Sequence, residues 1–250
     1  MALANEELSV LSEFHFERQP IGVKFSFEKP DGLAQLERKI ALCEMLKEAQ
    51  LSESAFYVTP ENQSCRPAAR IWGTDPSGVF DSGHFGVAMK IFKEPRANVR
   101  LNQRIPTLDK EVVRYISFAP LDKLCFTPDL LIILADKASQ SEILLRAMTY
   151  TTGEVWSSKT TAVAGCAWLL AYPHLTGKVN YITTGFGSGM KAKKLFPEGR
   201  QLISIPYNWL PVITENLREM AWVLPAWEAE GLGAFIKRMQ VQLAHLSQPW

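Results

Sequence analysis

Leu130-Leu-Ile-Ile-Leu134 is the stretch of sequence that decides the fold. An unbroken apolar run of this length is typical of a strand that is buried on both faces of a sheet. Upstream of it, Tyr115-Ile-Ser-Phe118 predicts another strand, which ends at Pro120. Downstream of it, a helix is predicted from about Glu142 to Tyr150. Strand, strand and helix in this order indicate a sheet packed against helices.

The same alternation extends through the rest of the chain. Ile21-Gly-Val-Lys-Phe-Ser-Phe27 has the period of a strand, and apolar residues at helical spacing predict a helix from about Leu33 to Gln50. A proline-punctuated polar stretch, 93–110, is predicted to be a connector. A strand is expected near Val155, and the last helix covers about 227–246. We therefore predict an α/β (or α+β) fold with a mixed sheet and flanking helices.

Composition limits the classes of function. The 250 residues are 47% hydrophobic and carry a formal net charge of +1, so the chain has neither the basic excess of a nucleic-acid-binding protein nor a polybasic membrane anchor. Residues 1–7 lack the basic and apolar regions of a signal peptide. The longest apolar runs, 130–135 and 162–172, are far shorter than the roughly 20 residues that span a bilayer. We expect a soluble cytoplasmic protein whose four cysteines are reduced.

One spacing recurs along the chain and indicates an internal duplication. Phe85-Gly-Val-Ala-Met-Lys90 matches Phe186-Gly-Ser-Gly-Met-Lys191 at four of six positions, with a spacing of 101 residues (186 − 85). Cys65 and Cys166 have the same spacing, and each begins a predicted helix. We expect residues 1–110 to form one half, and residues 111–250 to form the other half together with the C-terminal helices. The two halves are expected to form one compact unit related by a pseudo-two-fold axis.

Several blocks together resemble the family of domain of unknown function 169, from about residue 8 to residue 222. They are Pro20-Ile-Gly-Val-Lys-Phe25, the helix with Cys43, Cys65-Arg-Pro-Ala-Ala-Arg-Ile-Trp-Gly73, Pro128-Asp-Leu-Leu-Ile-Ile133, the Cys166 helix and Ile205-Pro206. The resemblance implies a prokaryotic and often anaerobic setting, and no particular reaction. Related chains often have Cys or Arg in the second glycine-rich loop, where this chain has Phe186 and Met190.

Three cysteines are candidate metal ligands. Cys43, Cys65 and Cys166 lie on or at the start of predicted helices, where the helix dipole favours the thiolate that binds soft metals. Three such residues are enough to hold an iron–sulfur (4Fe-4S) cluster with one iron left open for substrate. A catalytic thiol and inert core cysteines remain alternatives, because no Cys-x-x-Cys pair is present. Cys125 lies outside the repeat and is expected to be structural.

The glycine-rich loops are candidate binding segments for a small anion. Backbone N–H groups near Gly86 and Gly187 can converge on an anion, and Lys90 and Lys191 can add positive charge. A plain tight turn explains the same glycines. The second loop does not match the dinucleotide-binding pattern of a Rossmann fold.

These residues lead to three hypotheses of function. The first is an iron–sulfur protein, acting as an anaerobic enzyme on a small anionic substrate covered by the glycine loops. The second is a metal-free protein that binds a small organic ligand in the cleft between the halves. The third is an interaction protein that forms a homodimer through an apolar stripe on the C-terminal helix, with Phe235, Ile236 and Leu243.

Overall fold

The computed structural model describes residues 7–52, 54–75, 78, 80–184, 187–224 and 231–246. The strands are β1 (Ile21–Ser26), β2 (Ala34–Gln35), β3 (Phe56–Val58), β4 (Tyr115–Pro120), β5 (Leu130–Ala135), β6 (Asn180–Thr183) and β7 (Gln201–Pro206). The helices are α1 (Leu42–Leu51), α2 (Arg66–Ile71), α3 (His84–Ala88), α4 (Pro95–Asn102), α5 (Ala138–Thr149), α6 (Tyr172–Thr176), α7 (Ser188–Ala192), α8 (Leu210–Glu219) and α9 (Leu232–Leu246), with a π-helical segment at Ala167–Ala171. The seven strands form a mixed sheet in the order β2-β3-β4-β1-β5-β7-β6.

Strand β5 lies near the middle of this sheet and is buried along its whole length, as its sequence predicts. It pairs antiparallel with β1 on one side and with β7 on the other. Leu130, Ile132 and Leu134 belong to one hydrophobic core, whereas Leu131 and Ile133 belong to a second. Alternate side chains of a strand point to opposite faces, so β5 has a core on each face of the sheet.

Helices cover both faces of the sheet and complete an α/β architecture. On the first face, the core includes residues of α1, α2 and the π-helical segment. On the second face, α5 and α8 pack against each other and against the N-terminal 3-10 turn Ser9–Phe14. Within the described ranges, no helix combines the length and apolar character needed to cross a membrane.

Apart from β2, the strands pair in the same antiparallel pattern on either side of the β1–β5 pair. Gly22 of β1 lies opposite Leu131 of β5, and the ladder between these two strands is antiparallel. On one side β1 pairs with β4, and β4 pairs with β3. On the other side β5 pairs with β7, and β7 pairs with β6. Strands β4 and β7 both end in a proline, Pro120 and Pro206, and each is followed by a 3-10 turn.

The spacing between the repeated sequence blocks differs from the spacing between matching strands of the sheet. Pro120 and Pro206 are 86 residues apart (206 − 120), whereas Cys65 and Cys166 are 101 apart. Cys65 follows β3, but Cys166 precedes β6, so the two cysteines do not occupy matching positions in the strand order. The internal duplication and the division into halves at residue 110 therefore stay predictions.

The helix predicted from Leu33 to Gln50 is wrong over its first part. Ala34 and Gln35 form β2 beside β3, and the helix begins only at Leu42. The side-chain amide of Asn62 donates to the Leu36 and Arg38 carbonyls and so holds the intervening backbone extended. Local helical spacing in the sequence is overridden by these long-range hydrogen bonds.

The prediction of a connector over 93–110 is also wrong, because α4 lies inside it. Pro95 occupies the first turn of α4, where its missing N–H costs nothing. The face that α4 buries carries Asn98 and Asn102, whose amide groups donate to the Gly83 and Phe80 carbonyls. The helix escapes a search for apolar periodicity because its buried face is polar.

Two further elements differ from their predictions. Val155 is exposed and lies in no strand. The apolar helix predicted from about Thr161 to Ala171 begins only at Gly165, since Ala164 before it has a left-handed backbone with φ 57°. Helix α9 begins at Leu232, and its predicted start at Trp227 lies outside the described residues.

Candidate functional site

Three cysteines from separate parts of the chain line one cavity of about 250 Å³. Cys43 is the second residue of α1, Cys65 directly precedes α2, and Cys166 directly precedes the π-helical segment. Cys43 and Cys166 are buried, and Cys65 is half-buried. The structure thus brings together all three cysteines that the sequence singles out. The fourth, Cys125, is exposed and does not line this cavity.

Local backbone geometry brings Cys166 to the cavity wall. Ala164 has a left-handed backbone, and its carbonyl accepts the Ala167 N–H at 2.9 Å. Gly165 follows, and a Cβ at this residue would lie 3.2 Å from the Met190 Cε and 3.3 Å from its Sδ. The Met190 side chain therefore packs directly on the backbone next to Cys166. Gly187 completes this contact, since a Cβ there would lie 3.6 Å from the Gly165 Cα.

The thiols influence one another electrostatically. Burial, followed by the charges of Cys65 and Glu44, raises the pKa of Cys43 to about 12. Burial also raises the pKa of Cys166 well above its ordinary value, and the charges of Cys43 and Cys65 add to the increase. Both buried thiols are therefore protonated at neutral pH. A cation in the cavity would reverse this balance, because it stabilises every thiolate around it.

Lys193 supplies positive charge beside the thiols. It ends α7, and its Nζ lies 2.9 Å from the Glu44 Oε2 of α1. The same carboxylate oxygen accepts the Ala41 N–H and thereby caps α1. The charge of Lys193 lowers the pKa of Cys43 and partly opposes the effect of burial. Sequence reasoning missed Lys193, because only the fold brings it next to Cys43.

The predicted glycines and lysines have different locations. Gly86 and Gly187 line the cavity. Neither Lys90 nor Lys191 is among the lining residues; both are exposed, and Lys191 forms an ion pair with Glu198 at 2.8 Å. The central part of the second loop, 185–186, lies outside the described residues.

The structure explains Gly86 by packing. A Cβ at this residue would lie 2.6 Å from both the Asn98 Nδ2 and the Phe92 Cδ2, well inside van der Waals contact. Gly86 thus permits α3 to pack directly against α4. Close approach of two helices is a common reason for glycine, and it requires no bound anion.

Polar cavity residues that the sequence did not reveal come from α2 and α4. They are Arg70, Asn98 and Asn102. Asn98 and Asn102 gave no signal, because their helix was predicted to be a connector. Arg70 lies on the same face of α2 as the cavity-lining Pro67 and Ile71, a spacing that helical periodicity from Pro67 onward would have shown.

Cysteine and methionine are the metal donors in the cavity lining. Met89 and Met190 join the three cysteines, and none of the lining residues is His, Asp or Glu. Over the part of the chain that is described, no three His, Cys, Asp or Glu residues form a group arranged to hold a metal ion. The cavity therefore offers soft sulfur ligands, without the close arrangement of a single-ion site.

Fold and cavity together define an α/β protein with a thiol-lined cavity among the helices and loops on one side of its central sheet. The family model DUF169, described as "Uncharacterised ArCR", matches residues 11–216, so the chain belongs to this family. The matched range includes all three cavity cysteines. Searches of curated proteins and of solved structures found no match to the chain.

Proposed function

We propose that this protein binds an iron–sulfur cluster through Cys43, Cys65 and Cys166, and that a small anionic substrate reacts beside it. The observation that carries the proposal is the convergence of these three cysteines on one cavity from three separate elements of the fold. Three of the four cysteines share this wall, and the fourth, Cys125, lies outside it.

The chemistry of the cavity lining supports a thiolate-bound metal centre. Thiolates and thioethers select iron–sulfur clusters, Zn²⁺ and Cu(I), whereas carboxylates select hard cations. The lining contains three thiols and two thioethers and no carboxylate or imidazole. It therefore favours a soft, sulfur-rich centre over Mg²⁺, Ca²⁺ or Mn²⁺.

The number and arrangement of the thiols favour a cluster over one ion. Each cysteine of a four-iron cluster binds a different iron, so the ligands stand farther apart than those around a single ion. This agrees with three cysteines that share a cavity without forming a compact single-ion group. Three protein ligands leave one iron of such a cluster open to a substrate.

The charges near the thiols also support this proposal. Burial and mutual repulsion hold Cys43 and Cys166 in the protonated form. A cationic cluster would remove that repulsion, and Lys193 would balance part of the remaining negative charge. Cluster binding is then expected to release protons and to become tighter as the pH rises.

Anaerobic purification tests the proposal. The full chain is expected to be brown, with a broad absorption band near ~400 nm and stoichiometric iron and sulfide. Cys43→Ala, Cys65→Ala and Cys166→Ala are each expected to lose most of the iron while remaining folded by circular dichroism. Cys125→Ala is the matched control and is expected to keep its iron, because Cys125 lies outside the cavity. A folded, colourless, iron-free wild type after anaerobic reconstitution would refute the proposal.

A metal-free binding protein is the second candidate. The observation in its favour is the apolar character of the cavity, whose wall includes Phe80, Phe85 and Ile105. Apolar walls with a few placed polar groups are typical of small-molecule sites. The same purification separates the two candidates, since this one requires no iron and no effect of the cysteine substitutions on ligand binding.

A further inference from the structure

Arg70 is the one arginine or lysine that lines the thiol cavity within the described residues. It lies in the last turn of α2, and its side chain is about three-quarters buried, with 27% exposed. A guanidinium in such a position normally has each of its N–H groups paired.

One edge of this guanidinium is paired and one donor is not. The Arg70 Nη1 donates to the Asp81 Oδ1. The Arg70 Nε is buried and has no hydrogen-bond partner among the described residues. An unpaired buried donor is destabilising, particularly on a charged group, so native proteins seldom keep one without a reason. Arg70 lines the cavity, so its guanidinium is close enough to interact with an oxygen acceptor that enters there.

Asp81 orients Arg70 without cancelling it as an anion-binding group. The Asp81 side chain is 60% exposed, so water screens much of its charge. An acidic partner at Nη1 fixes the plane of the guanidinium, while the positive charge of Arg70 remains at the cavity wall. Arginine binds carboxylates through two parallel N–H donors.

The surroundings of Arg70 limit the rest of the ligand to a small apolar body. Phe80 and Phe85 are in edge-to-face contact with ring centroids 5.1 Å apart, and both line the cavity. Phe85 and Met89 are exposed, so they are accessible at the cavity rim. The cavity volume of about 250 Å³ suits a small metabolite.

The single cation favours a monoanion. A phosphate dianion usually requires several cations or a cluster of backbone N–H groups. Lys90, Lys191 and Lys193 are not in the lining, so among the described residues Arg70 is the one positive group in the cavity wall; Lys193 acts at the thiols and is paired with Glu44. One carboxylate matches one guanidinium in charge and in shape.

We infer that the cavity takes a small monocarboxylate, with its carboxylate on Arg70 and its apolar body between the phenylalanine pair and the cysteines. This deepens the proposed function, on which it rests for the choice of site, by naming the substrate class and the residue that binds it. Arg70 replaces Lys90 and Lys191 as the anion-binding residue.

Calorimetric titration of the full chain with benzoate and isobutyrate tests this assignment. One molecule of at least one of them is expected to bind per chain, and benzamide, the neutral analogue of benzoate, is expected to bind at least tenfold more weakly. Arg70→Gln is expected to weaken carboxylate binding at least tenfold. Arg70→Lys keeps the charge but loses the paired donors, so its carboxylate affinity is expected to lie between those of wild type and Arg70→Gln.

Arg100→Gln is the matched control, because Arg100 is exposed and lies on the part of α4 that faces away from Asn98 and Asn102. It should bind as wild type does. Equal affinity of wild type and a folded Arg70→Gln, or no binding of either carboxylate, would overturn the inference. The iron content of the same samples is measured separately. Carboxylate binding by iron-free protein that depends on Arg70 supports the assignment even where the cluster proposal fails.

Discussion

Lys193, directly after α7, and Glu44 of α1 form an ion pair, with the Nζ and Oε2 atoms 2.9 Å apart. This pair connects the helix that carries Cys43 to the helix that carries Met190, and it brings a positive charge to the cavity thiols.

Lys193→Met removes that charge. We expect the free energy of unfolding to fall by about 0.5 kcal/mol, as is usual for a partly exposed ion pair. If the proposed cluster is bound, it should also be lost faster in air, because less positive charge balances the negative charge of the thiolate ligands. Lys191→Met is the control, since Lys191 pairs with Glu198 on the open surface. Equal cluster lifetimes in the two variants would contradict a role of Lys193 at the thiols.

The raised pKa of Cys43 predicts a loss of stability in alkali. The thiol titrates near its ordinary value of 9.0 in the unfolded chain and at about 12 in the folded, metal-free chain. Between these values the folded chain keeps a proton that the unfolded chain releases, so rising pH favours unfolding. The contribution is fully present below about pH 9 and declines by up to about 1.4 kcal/mol per pH unit above it.

Urea titrations of metal-free protein from about pH 8 to about pH 10 measure this dependence. Cys43→Ala removes the titrating thiol, so its stability should decline less steeply over the same range. Tyrosines and lysines titrate equally in both proteins and cancel in the difference. Parallel curves for the two proteins would show that Cys43 has no raised pKa.

Gly86→Ala tests the packing explanation of the first glycine loop. Its Cβ would collide with Asn98 and Phe92, so we expect a loss of about 1–3 kcal/mol in unfolding free energy. Gly189→Ala is the matched control within α7, since nothing lies within 4 Å of its added Cβ. Alanine is the better helix former, and that variant should be unchanged or up to about 1 kcal/mol more stable. Similar changes in unfolding free energy for Gly86→Ala and Gly189→Ala would contradict the packing explanation of Gly86.

Much of the architecture can be predicted from the sequence, because apolar periodicity reports burial. The run Leu130–Leu134 predicted the buried strand, and the fold class is confirmed. The beginning of α1 and the whole of α4 could not be predicted, since hydrogen bonds from Asn62, Asn98 and Asn102 to distant carbonyls determine both. Such pairings join residues 15 or more positions apart and leave no periodic pattern.

The candidate site, like the fold, could be predicted only in part from the sequence. Cysteines at helix starts are visible in the sequence, and the fold brings Cys43, Cys65 and Cys166 to one cavity. Helical spacing from Pro67 could have placed Arg70 on the cavity face, whereas Lys193 could not be assigned to the site, because only packing brings it next to Cys43. The spacing of 101 residues pointed to the glycine loops as anion-binding segments; Gly86 and Gly187 line the cavity, whereas Lys90 and Lys191 are exposed, and anion binding by these loops stays a prediction.

The homodimer hypothesis makes a separate prediction for α9. Leu232, Ile236 and Leu243 are exposed and recur at helical spacing on one side of the helix. If this side binds a second copy of the chain, Ile236→Glu should lower the dimer fraction in sedimentation velocity at least tenfold. Val241→Glu, the same kind of change on the opposite side, should have no effect. A wild type that stays monomeric at high concentration would refute the hypothesis.

Ala164 is the residue at which the cavity wall is strained. Its φ of 57° lies in the left-handed region, which costs an L-residue with a Cβ about 1 kcal/mol or more. Ala164→Gly removes the Cβ and should raise the free energy of unfolding by up to about 1 kcal/mol, after the greater entropy of the unfolded glycine is subtracted. The exposed Ala162 has no such backbone, so Ala162→Gly should be neutral or slightly destabilising. Because Ala164 sets the direction of the chain just before Cys166, the relaxed backbone of Ala164→Gly is also expected to hold that thiol less firmly. Thermal melts and iron content are measured on both variants. For Ala164→Gly, the melting temperature is expected to rise while the iron content falls. For Ala162→Gly, the two are not expected to move in opposite directions.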